Sequence, residues 1–142
     1  MKRTIAIAFF AVTSLLTAGS VSAQNSEVQA NIPFNFAVGN TVLPAGTYTV
    51  SSISLQTPQT LLIRNSDHLK LAAMVMTSAG DARYAGDNYL VFHKYGDEYF
   101  LNEVLCPAAA MVEDLPTSKR ESRARTREAS LDQPERILLA LK

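Results

Sequence analysis

The sequence has one cysteine, no tryptophan and two histidines, and each scarcity excludes a class of protein. With a single thiol, Cys106, the chain has no intramolecular disulfide, so its stability must come from packing. The apolar neighbours of Cys106 favour a buried, inert thiol, whereas an intermolecular disulfide would need an exposed one. The absence of tryptophan argues against a sugar-binding platform, although tyrosine can serve in one.

The two histidines, His68 and His93, offer little for metal or acid–base chemistry. No His-x-x-x-His pair, cysteine pair or two-His-plus-carboxylate spacing occurs, so we expect neither a zinc or iron site nor a cofactor. Cys106, His93 and Asp97 could form a nucleophile, base and orienter, but the predicted strand pairing separates them. The loop with Asp81, Asp87 and Asn88 matches no known calcium-binding spacing, and glycine-rich phosphate loops are absent.

Residues 1–23 have the features of a secretory signal peptide. Two basic residues precede an apolar run at 5–16, and small residues occupy 19–23, where signal peptidase cuts. The apolar run is too short and too interrupted to span a bilayer. We therefore expect a mature chain that begins at Gln24, has no membrane span, and is periplasmic or extracellular.

Residues 24–112 carry the patterns of a single all-β domain. Apolar and polar residues alternate from Val28 to Val38, which is the period of a half-buried strand. Pro33 cannot donate to a β-ladder, so this strand lies at an edge or breaks in two at a bulge. Further strand-favouring runs predict about seven or eight short antiparallel strands in a small β-sandwich or flattened barrel.

Two hairpins are predicted in detail. Segments 61–64 and 69–77 flank a four-residue loop, and the second arm is apolar enough to be covered on both faces. Segments 89–95 and 98–104 are separated by Gly96-Asp97, a two-residue turn in which glycine supplies the positive φ. This register places the following residues opposite one another: Tyr95 and Glu98, His93 and Phe100, Phe92 and Leu101, Val91 and Asn102.

Residues 113–142 are predicted to form a basic tail, although the whole chain has 13 basic and 13 acidic residues. Ser118 and Glu121 have the spacing of a helix capping box, but 119–127 has hardly an apolar residue, so a helix here is solvated or frayed, or the segment is disordered. The apolar segment 137–141 is expected to return as a final strand, with a short docked helix or contact with another molecule as alternatives.

The predicted contact surface consists of tyrosines along the long hairpin and arginines of the tail: Tyr89, Tyr95, Tyr99, Arg120, Arg123 and Arg127. On a helix these arginines would share a face and could meet phosphates, acidic polysaccharide or anionic lipid headgroups. Nucleic acid is not expected, because no aromatic residues interleave with the arginines to stack on bases.

Several motifs together resemble a family of small exported bacterial all-β proteins of unassigned function. They are Ile32-Pro33-Phe34-Asn35-Phe36, Val38-Gly39, Leu43-Pro44-Ala45-Gly46-Thr47-Tyr48-Thr49-Val50 and Leu90-Val91-Phe92-His93-Lys94-Tyr95-Gly96-Asp97-Glu98-Tyr99-Phe100-Leu101. The resemblance covers nearly the whole mature chain, but the family brings no activity and therefore no catalytic residue. Segment 43–50 also looks like the strand entry of prealbumin-like and surface-protein β-sandwich modules, which supports a sandwich by analogy.

These observations lead to one principal hypothesis and two alternatives. The principal one is an exported, non-catalytic envelope or secreted β module that acts by binding or structurally, with an envelope protein or an anionic polysaccharide as partner. The alternative is a small hydrolase or isomerase with an unrecognised site near His93. An outer-membrane barrel of eight strands is disfavoured, because repeated ten-residue alternating segments are missing.

Overall fold

A computed structural model describes residues 27–53, 59–81, 88–128 and 133–141. The expected signal peptide at 1–23 lies outside the described residues. Within these ranges the chain forms ten strands, a 3-10 turn at Pro107–Ala109 and one α-helix. No helix among the described residues has the length and apolar character needed to cross a membrane. The elements are β1 Glu27–Ile32, β2 Phe36–Val38, β3 Thr41–Leu43, β4 Gly46–Ser52, β5 Gln59–Asn65, β6 Ala72–Ala79, β7 Tyr89–Tyr95, β8 Glu98–Cys106, β9 Met111–Asp114, α1 Lys119–Arg127 and β10 Glu135–Ala140.

The described strands form one mixed sheet, which confirms the all-β class. The order is β1-β4-β5-β6-β9-β8-β2-β3, with β7 beside β8 and β10 beside β7, and the sheet is not closed into a barrel. Among the described pairings, only that of β2 with β8 is parallel. The sheet folds over so that Phe36 of β2 meets Tyr48 of β4 edge to face at 5.1 Å, and residues from both halves share one core.

Pro33 divides the alternating N-terminal segment, as predicted. β1 ends at Ile32 and β2 begins at Phe36. β1 pairs with β4, whereas β2 pairs with β3 and β8. Because proline cannot continue a ladder, one alternating run supplies strands to two separate parts of the sheet.

The β7–β8 hairpin follows the predicted register near its turn and departs from it farther away. Three predicted pairs are confirmed: Tyr95 with Glu98, His93 with Phe100, and Phe92 with Leu101. The pairing of Val91 with Asn102 is wrong, because a bulge places Val91 opposite Glu103. The bulged Asn102 uses its carbonyl oxygen to accept the N–H of Leu115 at 2.8 Å, which fixes the chain leading into α1.

The β5–β6 hairpin has a longer loop than predicted, because β6 begins at Ala72 and pairs this residue with Arg64. The side chain of Asn65 explains the difference: its Oδ1 accepts the N–H groups of Asp67 at 2.9 Å and His68 at 2.8 Å. These bonds stabilise a loop in which Leu69 is exposed. The prediction that this arm is covered on both faces is also wrong, since the outward side chains Met74 and Met76 are exposed.

The C-terminal region adds two elements to the sheet. The predicted boundary after Val112 falls inside β9, which pairs with β8 and, at its end, with β6. The prediction of a final strand is confirmed, because β10 pairs antiparallel with β7 along its whole length. Cys106 is 1 % exposed in the shared core, which confirms a buried thiol and excludes it from an intermolecular disulfide.

Candidate binding surface

The helix α1 begins where the sequence predicts it. Ser118 is the N-cap residue, and its Oγ accepts the N–H of Glu121 at 3.0 Å. A capping box would also turn the Glu121 carboxylate back to the helix start, but this carboxylate instead contacts His93 of β7. The capping residue therefore sets the start of α1, and its partner at the third position ties the helix to the sheet.

The inner face of α1 packs on the β7–β8 hairpin. Ala124 is buried in a small apolar cluster with Ala37, Tyr95 and Phe100. The end of the helix also approaches the turn closely, because a Cβ on Gly96 would lie 2.9 Å from Oε1 of Glu128. The predicted helix in this segment is confirmed, whereas the expectation that such a helix would be solvated or frayed is wrong, because α1 is docked on the hairpin. Because the helix lies so close to the hairpin, the small side chain of Ala124 is the apolar contact that α1 makes with this cluster.

Glu121 lies between α1 and the hairpin. Nδ1 of His93 lies 3.1 Å from Glu121 Oε1, and the hydroxyl of Tyr95 lies 3.5 Å from the same oxygen. Burial raises the pKa of Tyr95, the negative charge of Glu121 raises it further, and Arg125 partly opposes them. His93 is thus held against a buried carboxylate rather than directed towards solvent.

The outer face of α1 carries the predicted arginines and meets Glu98 at the start of β8. Arg120 Nη2 donates to Glu98 Oε1 at 2.8 Å, and Arg127 donates to Glu98 Oε2. Arg123 forms no hydrogen bond or ion pair with the part of the chain that the structure describes. Side chains of both elements line an open depression of about 720 Å³: Glu98, Arg120, Ser122, Arg123, Thr126 and Arg127. We call this depression the arginine groove.

Two smaller depressions adjoin the arginine groove at Glu98. One of about 200 Å³ lies towards β2 and includes Arg120, Asn35 and Tyr99. The Tyr99 ring stacks on Phe34 with centroids 4.0 Å apart and planes at 16°. The other, of about 240 Å³, lies over the turn between Asp97 and the end of α1. Glu98 therefore lines all three depressions.

The structure brings together four of the six predicted contact residues, namely Tyr99, Arg120, Arg123 and Arg127. The prediction of an exposed Tyr95 is wrong: it is 6 % exposed, because its ring packs on Phe100 beneath α1. Tyr89 is half-buried at the other end of the hairpin, opposite Leu105, and lies away from the groove.

Sequence reasoning missed Glu98 and Glu121, which organise the two sides of α1. The sequence identified Glu98 only as the residue opposite Tyr95 in the hairpin and Glu121 only as a residue of the helix capping box. Both assignments are local, whereas the contacts with α1 and β7 join residues 22 to 29 positions apart in the chain. No local pattern indicates such contacts.

The reactive set of Cys106, His93 and Asp97 does not come together. Asp97 is exposed in the hairpin turn, Cys106 is buried at the opposite end of β8, and His93 contacts Glu121. Among the described residues, no three His, Cys, Asp or Glu side chains could hold a metal ion. Asp87 of the considered calcium loop lies outside the described residues.

Comparison of the chain with protein-family models, with curated proteins and with solved structures found no match. The resemblance to small exported bacterial proteins therefore stays a prediction.

Proposed function

We propose that this chain is an exported, non-catalytic β module that acts by binding, with the arginine groove as its binding surface. One observation carries the proposal. The buried contacts of Glu121 and Ala124 hold α1 on the sheet, so the helical backbone that carries the outer arginines has a fixed position. A cationic surface held in this way needs less ordering when a ligand binds than the same residues on a disordered tail would.

Export is supported by the sequence of residues 1–23, which has the charge, apolar run and small residues of a secretory signal. Such a signal would deliver the mature protein to the periplasm or to the outside of the cell. A binding surface for envelope or extracellular material fits this location.

The alternative of a hydrolase or isomerase near His93 draws on one observation, the 3.1 Å contact between His93 and Glu121. A histidine beside a carboxylate is a common acid–base arrangement. Here, however, α1 covers the carboxylate, and His93 lines none of the depressions described above. We therefore assign the pair a structural role, in which His93 anchors α1.

The proposal is tested by expressing the full chain in a bacterium with an outer membrane. We expect the mature protein to begin at Gln24 by mass spectrometry and to bind isolated cell envelopes saturably. Replacing both Arg120 and Arg127 by Gln should lower this binding, since the groove loses two cations. A retained leader with cytoplasmic protein, or saturable hydrolytic turnover that is lost in His93→Gln, would contradict the proposal.

A further inference from the structure

Glu98 shows what kind of ligand the arginine groove accepts. Its two carboxylate oxygens are divided between two guanidinium groups, Oε1 to Arg120 and Oε2 to Arg127. A carboxylate from another molecule, placed between the same arginines, could make the same two charge-assisted hydrogen bonds. We propose that the groove binds a carboxylated polysaccharide, one of whose carboxylates replaces that of Glu98; this inference rests on the proposed function as a binding module.

Glu98 is a weak internal competitor. Its side chain is 31 % exposed, and those of Arg120 and Arg127 are 45 % and 66 % exposed. Ion pairs between side chains this exposed contribute little net free energy, because water solvates the separated charges well. A ligand carboxylate therefore displaces Glu98 at small cost, and Arg123, which has no ion pair among the described residues, is available to a second carboxylate.

The spacing of the cations favours a polymer that carries repeated carboxylates. Arg123 lies three residues from Arg120 and four from Arg127, about one helical turn from each. A single carboxylate between Arg120 and Arg127 leaves Arg123 for the next acidic unit. Several weak contacts on one chain raise the apparent affinity, because binding of the first makes the others intramolecular.

The remaining lining of the groove fits a carbohydrate better than a membrane. Ser122 and Thr126 place hydroxyl groups among the arginines, and these can exchange hydrogen bonds with sugar hydroxyls. Tyr99 adds an aromatic ring in the adjoining depression. Helices that bind lipid surfaces bury an apolar face in the bilayer, whereas the outward residues of α1 are polar or charged.

The test measures binding of the purified mature protein to polygalacturonate by isothermal titration calorimetry. Neutral dextran, poly-L-glutamate and phosphatidylglycerol vesicles are the comparison ligands. Arg123→Gln removes the cation that has no ion pair among the described residues, and Arg125→Gln makes the same charge change on the other side of α1. Glu98→Gln removes the internal carboxylate, and Asp67→Asn makes the same charge change in the exposed β5–β6 loop, outside the three depressions. Thermal melting checks that each variant is folded.

We expect wild-type protein to bind polygalacturonate and not dextran. Glu98→Gln should tighten binding by about threefold to tenfold, because Arg120 and Arg127 lose their internal partner. Arg123→Gln should weaken binding by about tenfold, the effect of one charge-assisted hydrogen bond. The two matched controls should change the affinity less than about twofold, since they alter only the screened field.

Equal effects of each variant and its control would overturn the inference, because they would indicate diffuse charge attraction alone. Weaker binding in Glu98→Gln would also overturn it, and so would tighter binding of poly-L-glutamate or vesicles than of polygalacturonate. If polygalacturonate is not bound while envelopes are still bound through Arg120 and Arg127, the inference fails and the proposed function stands.

Discussion

The two sides of α1 each depend on one carboxylate from glutamate, and burial gives these carboxylates different roles. On the inner side, the Glu121 side chain is 5 % exposed and contacts His93 and Tyr95. On the outer side, the Glu98 side chain is 31 % exposed and contacts Arg120 and Arg127. Water cannot reach the buried Glu121 carboxylate, so losing its protein partners would leave it without hydrogen bonds. Water can solvate the exposed Glu98 carboxylate whenever its ion pairs break.

This difference suggests how a helix with almost no apolar residues can display a charged surface. The inner carboxylate and Ala124 hold α1, so no large apolar side chain is needed on the helix. The outer carboxylate neutralises two arginines in the free protein and is available for exchange. Substitutions on the two sides of α1 should therefore differ in their effect on stability.

Removing the inner carboxylate should have the largest effect. Glu121→Ala leaves His93 and the Tyr95 hydroxyl without their partner beneath the helix, and we expect a loss of about 2–3 kcal/mol in the free energy of unfolding. Glu98→Ala is the matched control and, with two exposed ion pairs lost, should cost about 1 kcal/mol. Urea denaturation measures both. Equal losses would show that burial does not distinguish the two glutamates.

Removing the helix cap should have an intermediate effect. Ser118→Ala deletes the Oγ that accepts the N–H of Glu121, and we expect a loss of about 1 kcal/mol. Ser122→Ala is the control, because Ser122 is exposed within the same helix and alanine is a better helix former. Circular dichroism during urea denaturation follows both variants. A Ser118→Ala variant as stable as the control would contradict this assignment of the helix start.

Tyr95 should make stability depend on alkaline pH. Burial, and then the charge of Glu121, raise the pKa of Tyr95 above the ordinary value of 10.0 for tyrosine, so the folded state keeps the hydroxyl proton to a higher pH than the unfolded state does. The contribution of the neutral hydroxyl is therefore fully present below about pH 10 and is lost as the pH rises through the folded pKa. Tyr95→Phe should lose less stability than wild type above pH 10, measured by urea denaturation at each pH. Identical alkaline profiles would contradict a buried Tyr95.

The outer ion pairs should have the smallest effect on stability. Arg120→Gln should change the free energy of unfolding by less than about 0.5 kcal/mol in low salt, and this difference should disappear near 1 M NaCl. Thermal denaturation at the two salt concentrations measures it. A loss above about 1 kcal/mol that persists in high salt would mean that Glu98 and Arg120 form a structural contact and not an exchangeable one.

The sequence predicted local structure best where that structure depends on residues close together in the chain. Gly96-Asp97 identified the hairpin turn, and the register held as far as Phe92. It failed beyond Phe92, because the bulge at Asn102 is coupled to a bond from Leu115 that strand alternation does not encode. The β5–β6 loop was mistaken for a similar reason, since the cap made by the Asn65 side chain is not visible in apolar patterning.

The candidate site was predicted in part. Helical spacing correctly placed Arg120, Arg123 and Arg127 on one face, because the helical period determines it. The docking of α1 could not be predicted, since it depends on Ala124 and on a buried Glu121, and pattern analysis counts glutamate as solvent-facing. The same omission led to the wrong expectation for Tyr95, which α1 covers.

Hydrogen–deuterium exchange of the segment 119–127 tests the account most directly, because both faces of α1 have their roles only if the helix is docked. We predict slow exchange in wild type and in Glu98→Ala, and fast exchange in Glu121→Ala while the β7–β8 hairpin stays protected. Exchange of this segment at the unprotected rate in wild type, or equal protection in all three proteins, would contradict the account.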